Sequence, residues 1–119
     1  MPDDRSTPAL AIVNARVWTN DPRRPWADAV LVRAAHIVAV GASAELRKRA
    51  GTDAAVIDAR GRLVLPERAG GRLVAGEAAS LAIVARPASP NPPEEPSDAD
   101  VVFSIRDGRV LVDRRDVTT

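Results

Sequence analysis

The sequence predicts a mainly β fold, a small β-sandwich with one short helix, and three observations indicate it. Short β-branched runs recur along the chain and are separated by Gly, Pro, Asn and Asp residues, a pattern typical of strands joined by turns. Aromatic residues make up only 3% of the 119 positions, so the core must be built from Val, Leu, Ile and Ala. Only one segment carries helix start and stop signals.

The first half of the chain is expected to hold most of the strands. Asn14-Ala15 suits a tight turn because Asn tolerates positive φ, so we expect the first two strands to pair with each other. Ala34 to His36 should close a second hairpin, although the glycine or asparagine that such turns favour is absent. The strands expected in this half are Leu10–Val13, Arg16–Thr19, Ala29–Arg33, Ile37–Val40, Ala55–Asp58 and Leu63–Leu65.

The helix is expected over Ala44–Ala50. Ser43 is a suitable N-cap, and Glu45 lies near the positive end of the helix dipole. Basic residues at 47–49 suit the negative end, and Gly51 provides the C-cap.

The second half begins with a break at residues 66–71 and contains an extended loop from Pro87 to Asp100, which holds five prolines. Asp107-Gly108 is the strongest hairpin signal in the chain. The strands expected here are Leu81–Ala85, Val101–Ile105 and Val110–Val112.

Length and composition predict one domain over residues 1–119. The net charge is +1 and the basic residues are scattered, which argues against a nucleic-acid partner. The chain has no cysteine, which excludes disulfides and thiolate metal sites. No secretory signal or apolar run of about 20 residues is visible, so we expect a cytoplasmic protein that does not bind membranes.

Two segments resemble a known family. Residues 9–66 contain, in order, N-A-R-V-W-T, D-P-x-x-P-W-A-D-A-V, I-V-A-V-G, the short helix and V-I-D-A-R-G-R-L-V-L-P. This order resembles the N-terminal segment of metal-dependent amidohydrolases, in particular the branch that includes N-substituted formamide deformylases. Residues 70–113, with a strand after the break and a final hairpin containing G-R-V, resemble the C-terminal segment of the same family. The resemblance implies that the two segments fold together into the small β-sandwich that accompanies a catalytic barrel.

The resemblance also implies that the barrel is missing. In the family, the strand that ends at Pro66 leads into a Gly-x-x-Asp-x-His-x-His stretch, which supplies two metal ligands. Here Pro66 is followed by Glu67, Arg68, Ala69, Gly70 and Gly71, whereas a barrel of this kind needs about 250 residues. The turn usually written Asp-Gly is Ala34-Ala35, and the usual Ala-Asp pair is Ala79-Ser80. We therefore predict no enzymatic activity, no catalytic, metal-binding or cofactor-binding residue, and no cofactor.

Individual polar residues support the same expectation. His36 is the only histidine, and one imidazole does not provide the ligand set of a catalytic zinc. Lys48, the only lysine, lies in the helix between two arginines and is expected to be solvated. No spacing indicates a converging carboxylate pair or a serine nucleophile with a base. The carboxylates and serines considered are Asp21, Asp28, Asp58, Asp98, Asp100, Asp107, Ser80 and Ser104.

Two further features have a functional and a structural interpretation. Gly70-Gly71 is interpreted as a tight connection and not as a phosphate cradle, because no helix with a lysine follows. Trp18 and Trp26 could form a ligand platform, but packing against the core or a loop is the favoured interpretation.

Three functional hypotheses follow. The favoured one is a non-catalytic β-sandwich that forms a homodimer or binds another protein through the face that would pack on the barrel, because an uncovered apolar face usually finds a partner. The second is an accessory subunit of a separately encoded hydrolase barrel. The third is a metal-dependent hydrolase whose site forms between subunits.

Overall fold

Two β-sheets pack face to face in the computed structural model, which describes residues 9–67, 71–85 and 101–113 and confirms the predicted mainly β sandwich. The described residues form ten strands and one helix. The elements are β1 (Ala9–Val13), β2 (Arg16–Trp18), β3 (Trp26–Ala27), β4 (Ala29–Arg33), β5 (His36–Gly41), α1 (Ser43–Ala50), β6 (Ala55–Asp58), β7 (Leu63–Pro66), β8 (Leu81–Val84), β9 (Val101–Arg106) and β10 (Arg109–Asp113). None of the described helical residues forms a span long and apolar enough to cross a membrane.

The sheets have four and six strands. The four-stranded sheet has the order β5-β4-β1-β6, and the six-stranded sheet has the order β10-β9-β8-β7-β2-β3. All but two of the pairings are antiparallel. The parallel ones join β1 to β6 in the first sheet and β2 to β7 in the second.

The two sheets are connected by strands that bend from one into the other. The chain passes from β1 to β2, from β3 to β4 and from β6 to β7 across the same side of the sandwich. Backbone bonds tie these crossings together: the Ala15 amide donates to the Asp28 carbonyl (2.9 Å), and the Gly61 amide donates to the Asn14 carbonyl (2.6 Å). The parallel pair β1/β6 therefore continues as the parallel pair β2/β7.

This bend makes one prediction wrong. The first two strands do not pair with each other: β1 pairs with β4 and β6, and β2 pairs with β3 and β7. Asn14 has the positive φ expected of a turn residue (54°), but it redirects the chain into the second sheet and does not fold it back. β3 was not predicted, because it has only two residues and follows the proline-containing loop.

The helix lies on the outer face of the four-stranded sheet, where Leu46 and Ala50 are buried. Its predicted N-cap is wrong: Ser43 is its first residue, and Ala42 occupies the cap position without a side-chain hydrogen bond. The Ser43 hydroxyl serves the bend, since it accepts a bond from the Asn14 amide (2.9 Å) and donates to the Asp28 carbonyl (3.3 Å). The helix ends before Gly51, as predicted, with φ at 85°.

The core between the sheets is aliphatic with one phenylalanine, as the composition predicts. Phe103 packs there with aliphatic side chains from both sheets, and each buried Leu or Ile side chain contributes about 1.5–3 kcal/mol relative to an exposed one. The main members are Ile12, Val17, Val30, Val32, Ile37, Val64, Leu73, Leu81, Ile83, Phe103 and Ile105.

Both predicted hairpins are confirmed, and each has a two-residue loop. Ala34-Ala35 joins β4 to β5, so His36, which was expected in the connection, is instead the first residue of β5, and Asp107-Gly108 joins β9 to β10. Asp107 and Gly108 have φ of 51° and 81°, the two positive angles of a type I′ turn.

Candidate functional site

The position where the resemblance implies a missing barrel lies at one end of the six-stranded sheet. β7 and β8 pair directly, with Leu63 opposite Val84 and Pro66 opposite Leu81. The Glu67 amide extends the pairing by donating to the Ser80 carbonyl (3.0 Å). Residues on either side of the predicted join are therefore neighbours in one sheet, as the resemblance implies.

Polar side chains close this end of the sheet. The Arg106 guanidinium donates to the Glu67 carboxylate through Nε (3.2 Å) and through Nη2, and the two form an ion pair. The Glu67 side chain is only 16% exposed, against 49% for Arg106. The hydrogen bond with Glu67 and then its negative charge raise the pKa of Arg106 above its usual value. The ion pair therefore links the end of β7 to the end of β9, and Arg106 stays fully charged at neutral pH.

Ser80 also links strands at this end of the sheet. Its Oγ accepts a hydrogen bond from the Asp107 amide (3.0 Å), which links the start of β8 to the turn between β9 and β10. Ser104 lies in β9 and is buried in the sheet.

The two tryptophans pack together on the outer face of the six-stranded sheet. Their ring centroids are 5.1 Å apart with the planes at 59°, and the Arg16 guanidinium carbon lies 4.6 Å from the centroid of Trp26. Both indoles are half-buried against a small cluster that contains Leu63 and Leu65. The observed packing follows the favoured interpretation, and the pair supplies packing and a cation–π contact of about 0.5–1 kcal/mol.

The histidine and the lysine lie on different elements. His36 is exposed at the start of β5, where its backbone pairs with Arg33 and bridges to Ala78. Lys48 is exposed on α1. Among the described residues, no group of three or more His, Cys, Asp or Glu side chains is placed to hold a metal ion.

The described aspartates have local structural roles. Asp21 accepts a bond from the Arg23 amide (3.0 Å), and Asp58 accepts one from the Arg60 amide (2.9 Å). That backbone bond, followed by one from the Asn14 side chain, lowers the pKa of Asp58 below its usual value. Asp28 contributes its carbonyl to the bend, and Asp107 forms the hairpin turn.

Some of the residues and segments that the sequence analysis named lie outside the described residues. Asp98, Asp100, Gly70 and the loop from Pro87 to Asp100 belong to this part. Gly71 is described, and its carbonyl accepts a bond from the Asn20 side-chain amide (3.0 Å).

Large apolar side chains are exposed at positions that the sequence did not indicate. Within the described part of the chain the large ones are Val56 (45% exposed), Val110 (57%) and Leu111 (51%). Two of the three lie on β10, which ends the six-stranded sheet. The strand β10 itself was predicted. The exposure of its side chains, however, depends on the order of the strands in the sheet, which the short-range sequence pattern does not determine.

Comparison with known proteins supports the resemblance. The chain is 46% identical over 57 residues to N-substituted formamide deformylase from Arthrobacter pascens, a match that covers 48% of this chain and 10% of the enzyme. The chain thus spans about a tenth of the length of this relative. No protein-family model matches the sequence.

Solved structures of metal-dependent hydrolases also share similarity with this chain. An uncharacterized metal-dependent hydrolase from Pyrococcus furiosus has a TM-score of 0.46 at 18% identity, covering 50% of this chain and 13% of that one. Enamidase, an amidohydrolase-superfamily member, has a TM-score of 0.42 at 37% identity, covering 50% of this chain and 16% of that one. Over 48% of its length this chain is therefore similar in sequence to an N-substituted formamide deformylase, the branch of enzymes that the resemblance named.

Proposed function

We propose that this chain is a non-catalytic relative of amidohydrolases that acts by associating with protein, and that it does so in the cytoplasm. The observation that carries the proposal is the direct pairing of β7 with β8. Only residues 67–80 separate the two strands, and a catalytic barrel of about 250 residues has no place between them.

The chemistry of the described residues supports the same proposal. A catalytic zinc ion is held by three protein ligands, commonly His with Asp, Glu or Cys. This chain has one histidine and no cysteine, and His36 lies exposed at a strand start. The charged residues nearest the join are Glu67 and Arg106, and their opposite charges are paired with each other.

Association is the function that the remaining surface supports. Val110 and Leu111 present apolar side chains on a strand at the end of a sheet, and such edges pair readily with other chains. The partner is proposed to be a second copy or another protein. Nucleic acid and membrane are not proposed, given a net charge of +1 without a basic cluster in the sequence.

Metal analysis and an activity assay test the absence of catalysis. The purified protein is dialysed against zinc, manganese and iron in turn, and bound metal is measured by mass spectrometry. Formate release from an N-substituted formamide, N-butylformamide, is then measured for each form. We expect less than stoichiometric metal and no formate release above that of a matched His36→Ala variant.

The competing hypothesis of an intersubunit metal site makes the opposite prediction. Stoichiometric metal together with formate release that is lost in His36→Ala would overturn the non-catalytic proposal. An accessory subunit gives a third result: this chain alone is inactive, but it raises the activity of a barrel chain with which it co-purifies.

A further inference from the structure

The outer face of the six-stranded sheet is buried, although no helix or strand of the described chain packs on it. The one described helix, α1, lies on the outer face of the other sheet. On the outer face of the six-stranded sheet, Leu63 and Val84 are nevertheless fully buried, and Leu65 is 4% exposed. Side chains of a sheet stand roughly perpendicular to it, so neighbouring side chains alone leave their tips open to solvent. This face therefore needs a cover.

Two tryptophans and an arginine lie at one side of the same face. The indoles of Trp18 and Trp26 are half-buried, with ring centroids 5.1 Å apart, and the exposed Arg16 places its guanidinium carbon 4.6 Å from the centroid of Trp26. Surfaces lined with aromatic side chains bind proline-rich segments, which adopt the extended helix that such surfaces recognise at little entropic cost. The arginine beside the indoles favours a segment that also carries acidic residues.

The residues of this face form a row that leads from the tryptophans to the ends of β8 and β9. Arg16 of β2 pairs with Leu63 of β7. Val84 of β8 lies opposite Leu63 on one side and opposite Val101 of β9 on the other. Directly opposite residues share a face of the sheet. The chain leaves β8 after Val84 and enters β9 at Val101, so the connecting residues 85–100 start and end on this row.

The sequence of this connection is complementary to the tryptophans and the arginine. Residues 87–100 contain five prolines, four acidic residues and no basic residue. The prolines suit the two indoles, and the acidic residues suit the charge of Arg16. The prolines are Pro87, Pro90, Pro92, Pro93 and Pro96, and the acidic residues are Glu94, Glu95, Asp98 and Asp100.

The length of the connection is sufficient for it to reach the tryptophans and return. Neighbouring strands are about 4.8 Å apart, so the path from β8 to β3 and back to β9 is about 34 Å. The 16 residues from 85 to 100 span about 50 Å as an extended polyproline helix. The prolines near the middle, at 90–93, are therefore able to lie over Trp18 and Trp26.

The same chain is favoured over a second copy as the source of this segment. Tethering at both ends gives the segment an effective concentration in the millimolar range, whereas a second copy supplies it only at the concentration of the protein. A contact with an intrinsic dissociation constant of about 1 mM would then be formed in about half of the molecules.

We propose that residues 87–100 bind in cis to the outer face of the six-stranded sheet, with their prolines against Trp18 and Trp26 and their acidic residues beside Arg16. This inference goes beyond the proposed function and does not depend on it. The segment is the occupant of a surface that the two sheets and the helix leave uncovered.

A fluorescent label on a single introduced cysteine tests the contact. The chain has no cysteine and only two tryptophans, so a bimane label that is quenched by indole reports contact with Trp18 and Trp26 alone. Asn91→Cys carries the label and keeps every proline and acidic residue. Its fluorescence is expected to be at least about twofold lower than in a Trp18→Phe/Trp26→Phe background, which corresponds to contact in half of the molecules or more.

The matched control places the same label on the other sheet. Lys48→Cys lies on α1, and its fluorescence should not differ between the two backgrounds. Circular dichroism in a urea titration checks that each labelled chain is folded. In each case the full chain is used.

A charge reversal tests the role of the acidic residues. Glu94→Lys/Glu95→Lys in the labelled Asn91→Cys chain places like charges near Arg16 and is expected to reduce the twofold ratio to about one. Asp53→Lys/Glu77→Lys changes the net charge equally at exposed positions outside the segment and should leave the ratio unchanged. In the unlabelled chain, Glu94→Lys/Glu95→Lys should also raise the quenching of the tryptophans by acrylamide. That measurement does not require an indole to be replaced.

The outcomes separate this inference from the proposed function. Equal fluorescence of the Asn91→Cys label in both backgrounds overturns the contact and leaves association with protein standing. Quenching that is constant between about 1 µM and about 500 µM supports contact in cis, whereas quenching that grows with concentration assigns the segment to a second copy and overturns the cis contact. Quenching that survives Glu94→Lys/Glu95→Lys overturns the role of the acidic residues.

Discussion

The two hairpin turns lie side by side. Both are two-residue loops, but different residue types form them. Asp107-Gly108 has the composition that such turns favour, whereas Ala34-Ala35 has none of it, yet Ala34 holds a φ of 56°. Ala79 links them: its amide donates to the Ala35 carbonyl (2.8 Å), and its carbonyl accepts from the Gly108 amide (3.0 Å). The Asp107-Gly108 turn therefore holds the Ala34-Ala35 turn in a conformation that two alanines do not favour.

Gly108→Ala is expected to have the largest effect. A Cβ at this position would overlap the Ala34 carbonyl oxygen and lie 2.9 Å from the Ala35 Cα, and φ is +81°. We expect a loss of about 2–4 kcal/mol in the free energy of unfolding, measured by urea denaturation with tryptophan fluorescence.

Gly61→Ala is the matched control for this variant. Gly61 has nearly the same φ (+80°), but a Cβ there would have nothing within 4 Å. The control should therefore cost about 1 kcal/mol, from backbone strain alone. Equal losses for the two variants would show that the turns do not touch.

Ala34→Gly is expected to stabilise the protein by about 0.5–1 kcal/mol. Glycine removes the cost of a left-handed alanine, and that gain exceeds the added entropy of the unfolded chain. Ala35→Gly, whose position does not have positive φ, provides the control and should destabilise by a similar amount. The same denaturation assay decides the matter, and a loss of stability in Ala34→Gly would contradict a strained first turn.

Asp58→Asn is expected to have the smallest effect, and one confined to acid. The pKa of Asp58 is lowered in the folded chain, so its contribution to stability is present above the unfolded value of 3.8 and is lost as the pH falls through the lower folded value. The difference in unfolding free energy between wild type and variant should therefore shrink between pH 6 and about pH 3. A difference that grows on acidification would mean that the pKa of Asp58 is raised.

Much of the fold follows from the sequence because its signals are local. The β-branched runs, the Asp107-Gly108 turn and the C-cap at Gly51 each act over a few residues, and all three were predicted. The pairing of β1 was predicted wrongly because Asn14 signals a change of direction without specifying the sheet that the chain enters. The Ser43 hydroxyl was misassigned for a similar reason, since its partners Asn14 and Asp28 are distant in sequence.

The surface was less predictable than the fold. The sequence favoured burial of Trp18 and Trp26, and the two rings pack against each other. It did not indicate that β10 would end a sheet, because sheet order is set by long-range pairing. The Glu67–Arg106 contact likewise joins residues that only the β7–β8–β9 ladder brings together.

The strands that bend together have a consequence for how the molecule opens. Because β1/β6 runs directly into β2/β7, a fluctuation that separates either parallel pair pulls on the other through a continuous backbone. The two layers should accordingly behave as one foldon, with amide hydrogens of Ile12 and Val17 exchanging at a common, global rate. Among the described strands, β10 lies at a sheet end away from these parallel pairs, so it is able to fray without separating either of them.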